Sequence, residues 1–410
     1  MKIVVATDKF KGSLSSMEAG EAIKLGLMKG FESYKEKDLS APVEIVNVPI
    51  ADGGDGSAEV VSHFYNSKEI KVKVHDPLGR RIESGYSLYE VQRHGERIFC
   101  AFIEMAKVSG LALLSASERD PLKTSTYGLG ELISDALQRG VKEISVSIGG
   151  SATNDGGIGM LQALGFSFYN ASGEQIKREK IISGEDLPEI AVIRGESVNF
   201  SSVQVKVICD VTNPLYGPNG ATMVYGPQKG AGREALCSLE SGMKSYAAVA
   251  REWVDKRRGV RDGRPDSAQM SGAGAAGGVG FALRLFLGAE LIGGKEFFSK
   301  LTGVEEKIAG SDLVISGEGR LDNQSFCGKV VDGIVTLAGK HKKPVALFCG
   351  LSEISSLADE NFSAGIPIYT LKSMEPDLNK SMSNAYGLLK KLAEVSAGEL
   401  IEHVRKVQAL

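Results

Sequence analysis

Five short apolar runs separated by helical patterns lie at the two ends of this chain, and an unlike pattern fills its middle. KIVVAT (2–7) and VEIVNVPI (43–50) come first; DLVIS (312–316), PVALFC (344–349) and IPIYTL (366–371) come last. Between the first two, Ser15-x-x-Glu18 is a capping box, and Ala19, Ala22, Ile23 and Leu27 recur on one helical face. Strand, helix and strand at this spacing make a βαβ unit. Its right-handed crossover carries DKFKGS (8–13) and ADGGDGS (51–57) to one edge of a parallel sheet. From about residue 67 to 289 the pattern changes. IKVKV, SGYSLYEV and RIFCAFIEM, with the turn DPLGR, read as neighbouring antiparallel strands, and KEISVSIGG and VQVKVICDV continue a mixed sheet. The expected architecture is therefore α/β: a doubly wound parallel-sheet domain (1–66 and 290–410) interrupted by a mixed α/β domain (67–289), with the ligand site in the cleft between them. GLGELISDALQRG and REALCSLESGMKSYAAVAREWV are expected helices, and DKRRGVRDGRPDS (255–267) an exposed loop.

Charge narrows the class of ligand. Among 410 residues, 48 Lys+Arg stand against 51 Asp+Glu, so no global field draws nucleic acid or an anionic membrane, and small molecules are the expected partners. No apolar run reaches the roughly 20 residues of a membrane span, and the first residues enter a strand without a signal-peptide pattern, which points to the cytoplasm. The five cysteines form no C-x-x-C pair and read as ordinary buried thiols. No H-E-x-x-H and no G-x-S-x-G occurs, so zinc hydrolysis and a serine elbow have no support.

The polar chemistry gathers at strand ends. DKFKGS places Asp8, Lys9 and Lys11 after a strand and Gly12 and Ser13 before a helix, a pattern suited to an anion. ADGGDGS sets Asp52 and Asp55 among glycines, where carboxylates can bind Mg²⁺ or accept a hydroxyl proton. In SIGGSATNDGGIGMLQALG (147–165), Gly149 and Gly150 open the backbone to a ligand while Ser151, Thr153, Asn154 and Asp155 offer hydroxyls, an amide and a carboxylate. CDVTNPLYG (209–217) adds Asp210, Thr212 and Asn213, and ISGEGRLDNQS (315–325) adds Glu318, Arg320 and Asp322. GAGAAGGVG (272–280) contains G-x-G-x-x-G but follows no strand, so close packing at a helix start explains it as well as a nucleotide does. No Walker loop is present.

With these blocks in order, the chain resembles the bacterial glycerate kinases of the first type. DKFKGSLS, PIADGGDGS, IEMAKVSGL, RDPLKTSTYGLGELI, IGGSATNDGGIGMLQALG, CDVTNPLYG, GPQKGA and ISGEGRLDNQS look like that family's blocks and span nearly the whole chain. The resemblance implies a flavodoxin-like domain interrupted by a second α/β domain, and ATP- and Mg²⁺-dependent phosphorylation of D-glycerate. 2-Phosphoglycerate is the favoured product and 3-phosphoglycerate the alternative. It also implies roles. Lys11, Asp52, Asp55 and Asp155 would be catalytic, with Asp52 and Asp55 for metal or base and the base not singled out. Ser151, Thr153, Asn154, Arg320 and Asp322 would surround the substrate. Ser13, Gly149, Gly150, Asp210, Thr212, Asn213 and Glu318 would hold nucleotide or phosphate. A homodimer is carried as an expectation, with no nucleic-acid or membrane partner. A kinase for a related hydroxy acid or sugar acid would use the same apparatus. A non-catalytic nucleotide or metabolite sensor would be hindered by so many carboxylates.

Overall fold

In the computed structural model, which describes residues 1–34, 42–93, 95–195, 202–258, 266–326, 329–354 and 365–409, the strands in chain order are β1 (Lys2–Val5), β2 (Glu44–Asn47), β3 (Lys68–His75), β4 (Arg81–Arg93), β5 (Glu96–Glu104), β6 (Glu143–Ser147), β7 (Ser167–Tyr169), β8 (Val192–Arg194), β9 (Gln204–Ile208), β10 (Glu290–Ile292), β11 (Leu313–Leu321), β12 (Val345–Ser352) and β13 (Ile368–Thr370). They fall into two compact units, one of Met1–Asp52 with Lys295–Leu410 and one of Gly53–Gly294.

The first unit holds a five-stranded sheet ordered β13-β12-β11-β1-β2, parallel throughout. Numbered within the unit this is 2-1-3-4-5, the flavodoxin-like order, and its topological switch point lies between β1 and β11. Register follows the apolar runs, with Ile3 opposite Leu313 and Val5 opposite Ile315. The capping box forms as the sequence dictates: Glu18 N donates to Ser15 Oγ and Ser15 N to Glu18 Oε2. The helix it starts, Ser16–Glu32, buries Ala19, Ala22, Ile23 and Leu27 in a core shared with Leu389, Ala393 and Leu400 of the helix Ala385–Gln408.

The second unit is built on a six-stranded sheet, β10-β9-β6-β5-β4-β3. β3, β4 and β5 are antiparallel neighbours, and β5, β6, β9 and β10 run parallel. Tyr86, Ile103, Leu129, Val146, Tyr246 and Phe281 belong to its core.

Three local expectations change. The unit boundary falls at Asp52/Gly53 and not at 66/67, because the helix Ser57–Tyr65 is tied to β5: Gly56 N and Ala58 N both donate to Glu104, each at 3.1 Å. β11 does not end at Ser316 but runs on to Leu321, with Gly317 opposite Phe348, Glu318 opposite Cys349 and Arg320 opposite Leu351; a Cβ on Gly317 would lie 1.7 Å from Phe348 O, so only glycine lets the pairing continue. The segment 255–267 begins inside the helix Arg233–Arg258, and its residues 259–265 lie outside the described residues. Of the cysteines, Cys100 and Cys349 are buried, Cys209 is half-buried and Cys237 is exposed, while Cys327 lies outside the described residues.

Candidate active site

Beyond β1 the backbone keeps pairing with β11, through Ala6 N to Ile315 O and Asp8 N to Gly317 O. That delivers Asp8 to the carboxyl end of the sheet at the switch point, where it is only 8% exposed. Burial first, then the negative charge of Asp52, push its carboxyl up to about 7; Lys9, through its charge and its backbone N–H, opposes this, and Glu318 adds to it. Lys9 Nζ stands 3.9 Å from Asp52 Oδ1. Glu318 is likewise raised, by burial first; a hydrogen bond from Ser325 and the charge of Lys329 oppose it, while Asp322 and Asp52 push it further. Glu318 Oε1 is buried without a hydrogen-bond partner. Asp322 closes the strand by accepting from Ser325 N at 3.2 Å.

The same two segments also carry cations. Lys11 and Arg320, with Ser13, line a cavity of about 460 Å³ in the first unit; Arg320 is exposed and paired with Glu353. Of the expected site residues, the first unit therefore brings together Lys11, Ser13 and Arg320 on one cavity, and Asp52, Glu318 and Asp322 in one electrostatic group. Asp8 joins that group. The sequence placed it at a strand end but gave it no role, since nothing local says how deeply a strand-end carboxylate is buried.

In the second unit the centre is the loop after β6. Gly150 has φ +73°, and a Cβ on Gly149 would come within 2.9 Å of Gly54 Cα. The loop thus lies directly against the glycines of ADGGDGS. Asp55, in that motif, is exposed. Ser151, Thr153 and Asn154 are buried. Lys229, also buried, donates to Ser151 Oγ at 2.9 Å and to Thr153 O at 2.6 Å. Burial pushes this ammonium down to about 7, against the opposing pull of Asp155. Asn154 Nδ2 donates to Thr222 Oγ1. Thr153 Oγ1, Asn154 Oδ1 and Ser147 Oγ are buried without hydrogen-bond partners, polar capacity that native interiors seldom leave unused.

Asp155, expected to be catalytic, is fully buried and holds four hydrogen bonds within its own unit. Its Oδ2 accepts from Thr126 N, Thr126 Oγ1 and Gly159 N, and its Oδ1 from Gly157 N. Burial raises its carboxyl and these four bonds oppose the rise. It pins Thr126 to the start of the helix Ile158–Ala163 and so positions the loop. Asn213 is similarly spent: Tyr225 OH donates to its Oδ1, and its Nδ2 donates to Asn219 O. Asp210 and Thr212 remain exposed, with Asp210 Oδ1 accepting from Gly294 N. GAGAAGG proves to be packing. A Cβ on Gly277, whose φ is +69°, would lie 2.1 Å from Thr153 O, and Gly156 N donates to Gly277 O. Lys229 and Glu104 were missed by residue-level reading; each carried one signal, a charged residue within an apolar or small-residue block.

Known proteins agree on one family. The model of the glycerate kinase family matches residues 3–400. Glycerate 2-kinase of Escherichia coli K12 is 41% identical over 352 residues, 85% of each chain, and glycerate kinase of Halalkalibacterium halodurans is 39% identical over 350 residues, again 85% of each. The crystal structure of a protein from Salmonella typhimurium LT2 ascribed to glycerate kinase 2 has 37% identity and a TM-score of 0.76, with 100% of both chains covered.

Proposed function

The chain belongs to the glycerate kinase family, and from that premise we propose that it transfers the γ-phosphoryl group of ATP to D-glycerate, with 2-phosphoglycerate as the product. The observation that carries this reading is the alternation of acid and cation along two strand ends: Asp8 then Lys11 after β1, and Glu318 then Arg320 on β11. Phosphoryl transfer asks little covalent chemistry of a protein. It needs cations for the phosphate oxygens, a carboxylate near the attacking hydroxyl, and positioning.

Mg²⁺ fits the acidic end. Burial and mutual repulsion disfavour the ionised forms of Asp8 and Glu318, and Glu318 Oε1 lacks a partner; a divalent cation would offset both. One or two of Asp8, Asp52 and Glu318 would hold the ion, and when bound it would neutralise charge on the phosphate oxygens. Among the described residues no three His, Cys, Asp or Glu form a ready-made metal cage. Mg²⁺ does not require one, because it takes one or two carboxylates and keeps water and phosphate oxygens. Lys11 and Ser13 would serve the phosphates. A carboxylate whose proton leaves near pH 7 suits a general base, and in the first unit Asp8 is the candidate that meets this condition.

In the second unit, the unpartnered Thr153 Oγ1 and Asn154 Oδ1 beside Lys229 and Ser151 support glycerate recognition. Gly149 and Gly150 would present backbone to the transferred group, with the exposed Asp55, Asp210 and Thr212 at neighbouring loops. Incubation with ATP, Mg²⁺ and D-glycerate, followed by phosphorus NMR, tests the whole reading. A 2-phosphate monoester is expected; a 3-phosphate ester would correct the regiochemistry, and absence of glycerate-dependent ADP formation would overturn the kinase assignment.

A further inference from the structure

The cavity on Lys11 and Arg320 has a wall that phosphate binding does not use. Beside those cations and Lys372, the lining also includes Phe10, Leu351, Leu371, Leu378 and Met382. Two of them are left in solvent, Leu378 at 58% and Met382 at 38% exposure, on the short helix Leu378–Ser383. Apolar side chains of this size cluster at a surface where something covers them. Neither a phosphate nor a three-carbon hydroxy acid needs such a surface. A purine nucleoside does, since it has two flat apolar faces, and about 460 Å³ is within the range of pockets that enclose ligands of that size. The place is also right. The cavity residues follow β1 and β13 and sit on the last residues of β11 and β12, at the carboxyl ends of parallel strands where open α/β sheets take their ligands.

We infer that this cavity is the nucleotide subsite: the purine base packs on Leu378 and Met382, and the triphosphate runs toward Lys11 and Arg320. The identity of the nucleotide as phosphoryl donor rests on the kinase reading above. The subsite moves base recognition away from the glycine-rich loops, leaving those of the second unit to the acceptor and the transferred group.

The test uses the full chain and the variant Leu378→Asn. This residue is exposed at the end of a short helix, where a surface substitution costs little, so a nearly unchanged melting temperature is expected. Calorimetric titration compares Mg–ATP with Mg–tripolyphosphate, which carries the same phosphates without a base, and steady-state kinetics supply KM for ATP and for glycerate. We expect ATP affinity to fall about tenfold or more, as loss of an apolar contact surface commonly costs, KM for ATP to rise in step, and tripolyphosphate affinity and KM for glycerate to stay at wild-type values. Met382→Asn should repeat the pattern. ATP affinity within twofold of wild type in both variants, or equal weakening of ATP and tripolyphosphate, overturns the subsite. Wild-type protein that binds Mg–ATP with this base dependence yet forms no phosphoglycerate overturns the kinase reading and leaves the subsite standing.

Discussion

Asp8 carries its acidity far from that of a free side chain, and the displacement has a sign that can be measured. Its carboxyl titrates near 7 in the folded chain and near 3.9 when unfolded. As pH rises through that window the unfolded chain loses the proton first, so the folded state loses stability, and the loss is complete above pH 7. Asp8→Asn removes the ionisable group. Thermal denaturation should therefore place the variant above wild type at pH 8, by on the order of a few kcal/mol, and close to wild type at pH 4.5, while turnover falls by a hundredfold or more. A stability difference independent of pH would take Asp8 out of the titration. Lys229 behaves as the mirror image. Its ammonium, pushed down to about 7 by burial, is disfavoured in the fold below that pH, and stability recovers as pH climbs from 7 toward the ordinary lysine value near 10.4. Lys229→Met should flatten that recovery. Because Ser151 Oγ and Thr153 O lose their donor, KM for glycerate should rise at least tenfold.

At the scale of elements, two glycine-rich stretches that look alike in sequence do different work. GGSATNDGG forms the loop after β6 that holds the unpartnered Thr153 Oγ1 and Asn154 Oδ1, and GAGAAGG forms the surface on which that loop is seated. Gly277→Ala introduces a Cβ 2.1 Å from Thr153 O at a φ of +69°, so it meets both backbone strain and a clash with backbone. Gly288→Ala is the control, since that residue has the same φ and open space around it. Denaturant titration should show the control losing about 1–2 kcal/mol from the left-handed backbone alone, and Gly277→Ala losing clearly more, with turnover falling only in the latter. Equal losses in both would mean that the seat tolerates displacement.

For the molecule as a whole, the inserted unit has what a free-standing domain requires. It has its own six-stranded sheet and core. Its two ends meet as well: a Cβ on Gly53 would lie 3.9 Å from Gly294 Cα. An insertion whose ends meet can be accepted by a host loop without spreading it. Residues 53–294 expressed alone should therefore melt in one cooperative transition and give a dispersed amide spectrum; a broad, non-cooperative transition would show that its core depends on the rest of the chain.

Local chemistry determined much of this from the sequence alone. β-branched runs of strand length fixed five parallel strands, the Ser15–Glu18 box fixed a helix start, and the crowding of small and polar residues at 147–165 marked the loop that became the centre of the second unit. These features depend on neighbours a few residues apart. What only the tertiary structure decided is how deeply each charged group lies and which partners reach it. Asp155 and Asp8 are both carboxylates in segments that follow a strand. One is saturated by four hydrogen bonds from Thr126, Gly157 and Gly159, and the other is crowded by the charges of Asp52 and Glu318. Thr126 and Glu318 lie 29 and 310 residues from the groups they act on, and burial and Coulomb interaction depend on distance in space, which chain spacing does not encode.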